Sequence, residues 1–370
     1  MKPRVLLVFC AIIVIASSCS IADNGSDSES IPFNKLQVTS YDDILEDLFG
    51  NMEYTVLKTD STEYMFTSPQ KIVYKDNTFY IHDWVNPRNS KVVAFDNKGN
   101  PVLSLNKRGR GPGEYLQISD FDIDDNKDLW IVDGQDDVLL HYSDDCSFID
   151  SKKLPFEVNY IKCINDGMFF FGLAPWDVSD YEGVRILLSD TSLNISKCIL
   201  NYDEFVDPNF VFSSLGFTEL KGSVLYHQPI SDNVYKINNE GELIKTYNFD
   251  FGSQTVSDEI KKSIELNLDK FENLSFLVKS VYIDESVIIG SVYQGRITKN
   301  FLIDRKQRKL YLQNEDYEGL HFEGVAEGKI IYRILPGKQT LMDSLPEDIL
   351  SNMESGNEVL ALVKIGSLFQ

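Results

Sequence analysis

The sequence predicts an all-β fold, a six-bladed β-propeller with a closing strand near its N-terminus and short helices at its rim. From residue 70 onward, short apolar segments alternate with polar turns rich in Asp, Asn and Gly, which is the pattern of antiparallel strands joined by hairpins. Groups of four such segments recur about every 50 residues, the repeat length of a propeller blade. The 23 Phe and 18 Tyr, against 6 Met, also favour strands over helices.

Residues 1–18 have the composition of a secretory signal. Two basic residues precede an apolar run from residue 5 to 15, which is shorter than the roughly 20 residues that a transmembrane helix needs. The run Ala16-Ser17-Ser18-Cys19 resembles a bacterial lipobox, although Ala16 stands where Leu is more common. This resemblance implies a lipoprotein signal peptide and a lipid on Cys19 that anchors the chain to a membrane. Ordinary signal cleavage is the alternative.

Residues 19–35 are predicted to form a flexible tether. Residues 20–30 are almost all Ser, Asp, Gly and Asn, and such a composition cannot bury enough apolar surface to fold alone. The propeller domain is then expected to span residues 36–370. The expected location is the cell envelope, as an outer-membrane lipoprotein that faces the periplasm or the cell surface.

The blades are clearest in the first half of the chain. Predicted strands of the first blade cover residues 71–74, 78–83, 91–96 and 101–105, and those of the second cover 118–123, 128–133, 137–142 and 147–149. Weaker copies predict blades three to six within residues 160–188, 218–247, 280–304 and 322–365. Their limits are less sharply defined because turn residues are less regular there.

Three further elements complete the predicted architecture. A strand at residues 53–58 precedes the first blade and is placed to pair with the last one, which would cover an otherwise exposed sheet edge. Apolar residues at helical spacing predict an amphipathic helix over residues 257–274. A second helix is expected over 345–353, with Pro346 in its first turn.

Charge and cysteine content exclude several classes of function. The formal charge of −22 leaves no basic surface for phosphates, so nucleic acid is not an expected partner. Besides Cys10 and Cys19, the chain contains Cys146, Cys163 and Cys198, with no C-x-x-C pair and no Cys/His cluster. The four histidines form no ligand motif, and no nucleophile motif occurs. We therefore predict no catalytic residue, no metal site and no cofactor.

One glycine-rich segment carries a family resemblance. The run Lys107-Arg108-Gly109-Arg110-Gly111-Pro112-Gly113-Glu114-Tyr115, the blade pattern over residues 118–142 and the segment 247–252 resemble the six-bladed propeller lipoproteins of Gram-negative gut bacteria. That family is similar to NHL-repeat propellers. The resemblance implies the fold and an envelope location, but it transfers no functional residue.

The same glycine-rich segment also has the outline of a phosphate-binding loop. It lacks the Lys-Ser/Thr ending of a P-loop, and Pro112 removes a backbone donor, so a tight turn between blades is the preferred interpretation. Arg108 and Arg110 are candidate ligand-binding residues, because a guanidinium binds carboxylate or phosphate. Salt bridges with acidic neighbours at the rim are the alternative role.

The Asp-rich segment 120–128 has the oxygen-rich composition of a calcium-binding loop. Its sixth position, Asp125, should be Gly and its twelfth, Ile131, should be Glu, so the EF-hand motif fails. A strand followed by a polar hairpin explains the same residues.

Tryptophans supply the other candidates for ligand binding. Trp84 and Trp176 fall in predicted loops, where an indole can stack on a sugar ring or anchor an interface, although packing is an equal alternative. Arg88 lies in the same loop as Trp84. Trp130, between Leu129 and Ile131, is expected in the core.

These observations favour a non-enzymatic binding or interaction module for a glycan, peptide or protein partner in the envelope. The alternative is a cation-dependent propeller hydrolase, lactonase or lyase, which would need Asp, Glu, Asn or His side chains from several blades to converge on the central channel. A purely architectural subunit of an envelope complex is a third possibility.

Overall fold

A computed structural model describes residues 27–86, 89–164, 167–202, 216–228, 230–278, 281–313, 319–337 and 342–369. Six separate β-sheets in this part of the chain form the blades of a β-propeller, which confirms the predicted fold. The predicted signal peptide, Cys19 and Arg88 lie outside the described residues. No helix within the described ranges is both long enough and apolar enough to cross a membrane.

The N-terminal part of the chain adds strands to the outside of three blades. It contains β1 (Asp27–Ile31), β2 (Gln37–Ser40) and β3 (Met52–Leu57), with helix α1 (Asp42–Gly50) between β2 and β3. Strand β1 joins blade 4, β2 joins blade 5 and β3 joins blade 6.

Blades 1 to 3 are four-stranded antiparallel sheets whose strands follow in chain order. Their strands are β4 (Pro69–Lys75), β5 (Thr78–Asn86), β6 (Asn89–Asp96) and β7 (Pro101–Leu105); β8 (Ile118–Ile123), β9 (Leu129–Asp133), β10 (Val138–Tyr142) and β11 (Phe148–Lys153); and β12 (Val158–Ile164), β13 (Met168–Leu173), β14 (Val184–Asp190) and β15 (Ile195–Asn201).

Blades 4 to 6 follow the same plan with the added N-terminal strands. Their own strands are β16 (Phe217–Leu220), β17 (Ser223–His227), β18 (Asn233–Asn238) and β19 (Leu243–Phe249); β20 (Phe276–Leu277), β21 (Tyr282–Ile283), β22 (Val287–Gln294), β23 (Ile297–Asp304) and β24 (Lys309–Leu312); and β25 (Leu320–Ala326), β26 (Lys329–Ile334) and β27 (Glu358–Lys364). In blade 5, both β20 and β21 pair with β22, so the innermost strand of this blade is divided into two short pieces.

Strand β3 closes the ring, as predicted for residues 53–58. It pairs antiparallel with β27 and places Val56 opposite Val359, so the last blade combines strands from both ends of the domain. Helix α1, which the sequence analysis missed, packs on the same blade through buried Ile44 and Leu48. The hydroxyls of Tyr41 and Tyr332 lie 2.8 Å apart in this contact.

The predicted tether over residues 19–35 requires a correction, because its second half belongs to the propeller. Strand β1 pairs in parallel with β19 along its whole length, and Ile31 and Phe33 are buried. The carboxylate of Glu29 forms ion pairs with Lys245 at 2.8 Å and with Arg305. A polar segment therefore becomes ordered because the free edge of β19 supplies hydrogen-bond partners that the segment lacks by itself.

The helix predicted over residues 257–274 is also wrong as a continuous element. The segment forms two short helices, α2 (Asp258–Lys261) and α3 (Leu268–Phe271), separated by a 3-10 turn at Glu265–Asn267. Leu266 and Leu268 are exposed, so the apolar positions do not form one buried stripe. The Asn267 amide also donates to the Ser263 carbonyl oxygen at 3.0 Å and competes with helical hydrogen bonding.

The second predicted helix is present with a shifted start. Helix α4 (Glu347–Glu354) begins directly after Pro346, which precedes its first residue, and its buried Ile349 and Met353 pack on blade 6.

The docking of residues 27–35 can be tested by core truncation. We expect Phe33→Ala to lower the free energy of unfolding by about 3–5 kcal/mol, because it removes a buried ring that contacts Phe251 and Phe301. Val38→Ala is the matched control, since Val38 is 59% exposed and its truncation should change stability by less than about 0.5 kcal/mol. Chemical denaturation measures both. Equal stability of the two variants would mean that this segment is not docked.

Candidate functional site

The principal cavity lies at one face of the propeller, where the inner strands of blades 1 to 3 begin. We call this the cavity face, and we call the face that carries the β4–β5 turn the opposite face. The cavity has a volume of about 550 Å³ and is lined by the first residues of β4, β8 and β12, by the second half of β5 and by the loops that follow β9 and β13. Inner-strand ends and neighbouring loops are the usual place for propeller ligands to have access, because the blade bodies are fully packed.

The structure brings both predicted loop tryptophans to this cavity. Trp84 is half-buried and lies within strand β5, paired with Ser90, so its assignment to a loop was wrong, whereas Trp176 lies in the loop after β13 and is 40% exposed. They belong to blades 1 and 3, so the cavity has an indole on each of two separate walls. Their role in ligand binding remains a prediction, but their convergence is a feature of the fold.

Polar side chains from three blades line the rest of the cavity. The residues that matter here are Gln70 of blade 1, Gln117 and Ser119 of blade 2, and Glu157 and Asn159 of blade 3. Within the described ranges, no hydrogen bond or ion pair involves the carboxylate of Glu157. The site therefore offers amides, a hydroxyl and a carboxylate for hydrogen bonding between two aromatic surfaces.

Three buried aspartates hold the loops that carry these side chains. Asp83 accepts hydrogen bonds from the amides of Thr67 and Ser68 at 3.1 and 2.7 Å, in the segment before β4. Asp133 accepts from Leu116 and Gln117 at 2.7 and 3.3 Å, before β8.

Asp177 repeats this contact in blade 3 by accepting from the Glu157 amide at 3.0 Å, before β12. Because each aspartate is nearly inaccessible to solvent, these charge-assisted bonds fix the entry of each inner strand. The aligned Ile-x-Asp ends of the first two blades were visible in the sequence, but the loop contacts were not.

Ion pairs join the inner strands of neighbouring blades around the central channel. Lys71 on β4 contacts Asp120 on β8 at 2.9 Å, and Lys162 on β12 contacts Asp122 on β8 at 3.0 Å and Glu219 on β16 at 2.7 Å. The second oxygen of Asp120 accepts from the Ile161 amide at 2.8 Å.

Asp122 is held in the same way, since its Oδ2 also accepts from the Cys163 amide at 2.8 Å. The channel carboxylates of blade 2 are thus already bonded to ammonium groups and backbone amides. Both oxygens of Asp120 are engaged in this way, whereas the contacts of Asp122 all involve its Oδ2.

Burial and ion pairing shift the pKa values of these groups in opposite directions. Burial disfavours the charged form of Asp122, but the ammonium groups of Lys162 and Lys71 outweigh it and lower the pKa of this carboxyl. Burial likewise opposes protonation of Lys162, yet Asp122 and Glu219 raise its pKa above the ordinary lysine value. For Asp120 burial is the larger effect, so its pKa is raised despite Lys71.

His82 is the one histidine among the cavity-lining residues. Burial, with a smaller contribution from Lys71, lowers the pKa of His82 to about 3, so its ring is neutral at physiological pH. Its Nε2 lies 2.9 Å from the Ser90 hydroxyl.

The Asp-rich segment 120–128 is a strand and a polar hairpin, as interpreted from the sequence. Asp124, Asp128 and His141 lie close enough to share a metal ion, but all three side chains already make hydrogen bonds within the protein. His141 Nε2 lies 2.9 Å from Asp128, and the Trp130 indole N–H donates to Asp124 at 3.0 Å. Trp130 is buried and stacks on His141 with ring centroids 3.8 Å apart, as expected of a core residue.

The glycine-rich segment forms a tight turn between blades 1 and 2. Gly111 donates its amide to the Glu114 carboxylate at 2.7 Å, and the Tyr142 hydroxyl donates to the Gly113 carbonyl oxygen at 3.0 Å. Gly113 has φ = 71°, and a Cβ there would overlap the Phe148 ring.

Neither arginine of this turn lines the cavity. Arg110 lies 3.7 Å from Asp136 at the exposed rim, and Arg108 forms a β-bridge with Tyr115. Of the five residues predicted to bind ligand, Trp84 and Trp176 therefore line the cavity, whereas Arg108 and Arg110 lie away from it. Arg88 lies outside the described residues.

Fold and site define a six-bladed propeller with a polar, tryptophan-bearing cavity at one face. The chain belongs to the family described as Domain of unknown function (DUF4934), whose model matches residues 30–364. No curated protein has significant sequence similarity to it.

Solved structures share the fold. A protein from Bacteroides fragilis NCTC 9343 described as exported is 18% identical and has a TM-score of 0.68, with 92% of this chain and 99% of that chain covered. A DUF4221 family member from Bacteroides vulgatus is 10% identical with a TM-score of 0.55, covering 85% and 96%. At these identities the similarity defines the fold alone.

Loss of a buried ion pair at the channel should destabilise the protein more than loss of an exposed ion pair. Lys162→Met should lower the free energy of unfolding by about 3–5 kcal/mol, because it leaves the buried Asp122 carboxylate without its partner. Lys153→Met, at an exposed ion pair with Asp137, should cost less than about 1 kcal/mol. Urea denaturation at neutral pH distinguishes the two, and similar losses would contradict the assigned role of the buried pair.

Proposed function

We propose that this protein is a lipid-anchored envelope propeller that binds a glycan, without catalysis, in the cavity between blades 1 and 3. The observation that carries the proposal is the convergence of Trp84 and Trp176, from separate blades, on one polar cavity. The resemblance to lipoproteins and to NHL-repeat propellers supports the location and adds no ligand.

The composition of the cavity favours a sugar among the possible ligands. Indole rings stack on the apolar faces of pyranose rings, while Gln117, Asn159 and Glu157 can hydrogen-bond to hydroxyls around the ring edge. A volume of about 550 Å³ is typical of a small-molecule or short-oligomer site. A stable protein partner would instead need a broad surface of roughly 800 Å².

The contacts in the channel support binding over the alternative of a cation-dependent hydrolase, lactonase or lyase. Such an enzyme needs free oxygens that converge from several blades. In the described part of the channel, Asp120 and Asp122 are bonded to lysines and to backbone amides. No specific observation favours the enzymatic alternative.

The direction of β1 determines where the proposed lipid anchor would lie relative to the cavity. Successive strands of a blade alternate in direction, so β19 runs towards the cavity face, and β1 is parallel to it. Asp27, the first described residue, therefore lies at the opposite face. A lipid on Cys19, with a linker that reaches at most about 30 Å, would hold the cavity facing away from the membrane.

Glycan binding can be tested with tryptophan variants of the full chain in detergent. A glycan array identifies the ligand, and titration calorimetry should then show that Trp84→Ala and Trp176→Ala each weaken binding by about tenfold or more, because a stacking surface is lost. Trp130→Phe is the control, since Trp130 packs between blades and does not line the cavity. Unchanged affinity in both cavity variants, or no glycan ligand at all, would refute the proposal.

The proposed lipid anchor can be tested separately from glycan binding. In a bacterial host supplied with labelled fatty acid, the wild-type chain should incorporate label and enter the detergent phase, because acylation requires the Cys19 thiol. Cys19→Ser should do neither, whereas the control Cys146→Ser, which alters a free thiol within the propeller, should behave like the wild type. Label retained in Cys19→Ser would exclude this residue as the anchor.

A further inference from the structure

We infer that the glycan bound in this cavity carries an ammonium group that pairs with Glu157, as an amino sugar with a free amine would. The inference rests on the proposed function and specifies its ligand. It depends on three features of the cavity: a carboxylate without a partner in the described part of the chain, a backbone at that residue bonded to the loop that carries an indole, and an excess of negative charge.

Glu157 is the cavity carboxylate that remains available to a ligand. It is half-buried at the start of β12 and lines the cavity, and no ion pair or hydrogen bond to its side chain occurs in the described part of the chain. The other two cavity carboxylates have partners, since Asp120 pairs with Lys71 and Asp137 lies 3.3 Å from Lys153. A half-buried carboxylate gains most from a cationic partner that arrives with the ligand.

The backbone of Glu157 is held against the loop that carries Trp176. The Ala174 amide donates to the Glu157 carbonyl oxygen at 2.9 Å, and the Glu157 amide donates to Asp177 at 3.0 Å. Asp177 is buried, so both bonds are protected from water. An indole and a carboxylate are therefore presented together by two adjoining, hydrogen-bonded segments, and little ordering cost remains for binding.

This combination suits an ammonium group more than a neutral hydroxyl. The face of an indole attracts a cation through its quadrupole, and a neighbouring carboxylate adds an ion pair. Amino-sugar rings also retain the apolar face that stacks on tryptophan.

The charge around the cavity favours the same ligand. Its charged lining residues are three carboxylates and the single ammonium of Lys71, which is bonded to Asp120 and to the Phe121 carbonyl oxygen at 2.7 Å. His82 is held neutral by burial, with its pKa at about 3, and adds no positive charge. The whole chain carries −22, so the surrounding field also attracts cations and repels anionic sugars.

Three β-1,4-linked oligosaccharides of equal length provide the test, because they differ in one substituent. Glucose oligomers carry a hydroxyl at C2, N-acetylglucosamine oligomers an acetamide and glucosamine oligomers an ammonium. Titration calorimetry with the full chain in detergent, at mildly acidic pH and low salt, should show the glucosamine oligomer binding about tenfold more tightly than the other two. Added salt should reduce this preference.

Glu157→Gln should abolish the preference for the amine, because glutamine keeps a hydrogen-bonding group at this position without the charge. Glu182→Gln, an exposed position outside the cavity lining, is the matched control and should keep the preference. Equal binding of all three oligomers, or a preference that survives in Glu157→Gln, would overturn the inference while glycan binding stands. Failure of every oligomer to bind would also overturn the inference, and glycan binding itself would fall with it if the glycan array yields no other ligand.

Discussion

Closure of the ring is the constraint on which the other features of this protein depend. Six sheets arranged around an axis bury their faces against each other only if the last sheet is fixed next to the first. Here β3 supplies the outer strand of blade 6 immediately before the chain enters blade 1, so backbone hydrogen bonds join the two ends of the domain. Opening this pairing would expose two sheet edges and loosen the inner strands that line the channel. Strands β1 and β2 extend the same principle, because they cover the outer edges of blades 4 and 5 with chain that precedes the closure.

The site follows from this closed ring through short-range contacts that repeat from blade to blade. Asp83, Asp133 and Asp177 each anchor the segment that enters an inner strand, and these entries meet at one face. The channel ion pairs lie beneath them and connect β4, β8, β12 and β16. The ion pairs and the three anchored segments fix the walls of the cavity before a ligand binds. Preorganisation of this kind suits selective binding of a small ligand, since little conformational entropy is lost on association.

The sequence predicted the parts of the fold that depend on local pattern. Strand alternation and hairpin turns identified the blades, and an unpaired apolar strand upstream identified the closure. Prediction failed where order comes from a distant partner. Residues 27–31 lack the apolar pattern of a strand, and they form one because β19 offers its free edge and Lys245 and Arg305 offer charges to Glu29. The segment 257–274 has helical spacing, but exposed Leu266 and Leu268 and the Asn267 side chain divide it.

For the site, residue chemistry identified Trp84 and Trp176 as candidates, with packing as an equal alternative, because an indole can stack on a ligand or anchor an interface. It also selected Arg108 and Arg110, which the tight turn directs to the rim, and it missed Glu157, which has no distinguishing neighbours in the sequence. The sequence by itself determined the strand periodicity, the number of blades and the residue types available to a ligand. The tertiary structure alone decided which cavity carboxylates pair with lysines and which one remains available, because charge pairing depends on distances between side chains of different strands and blades.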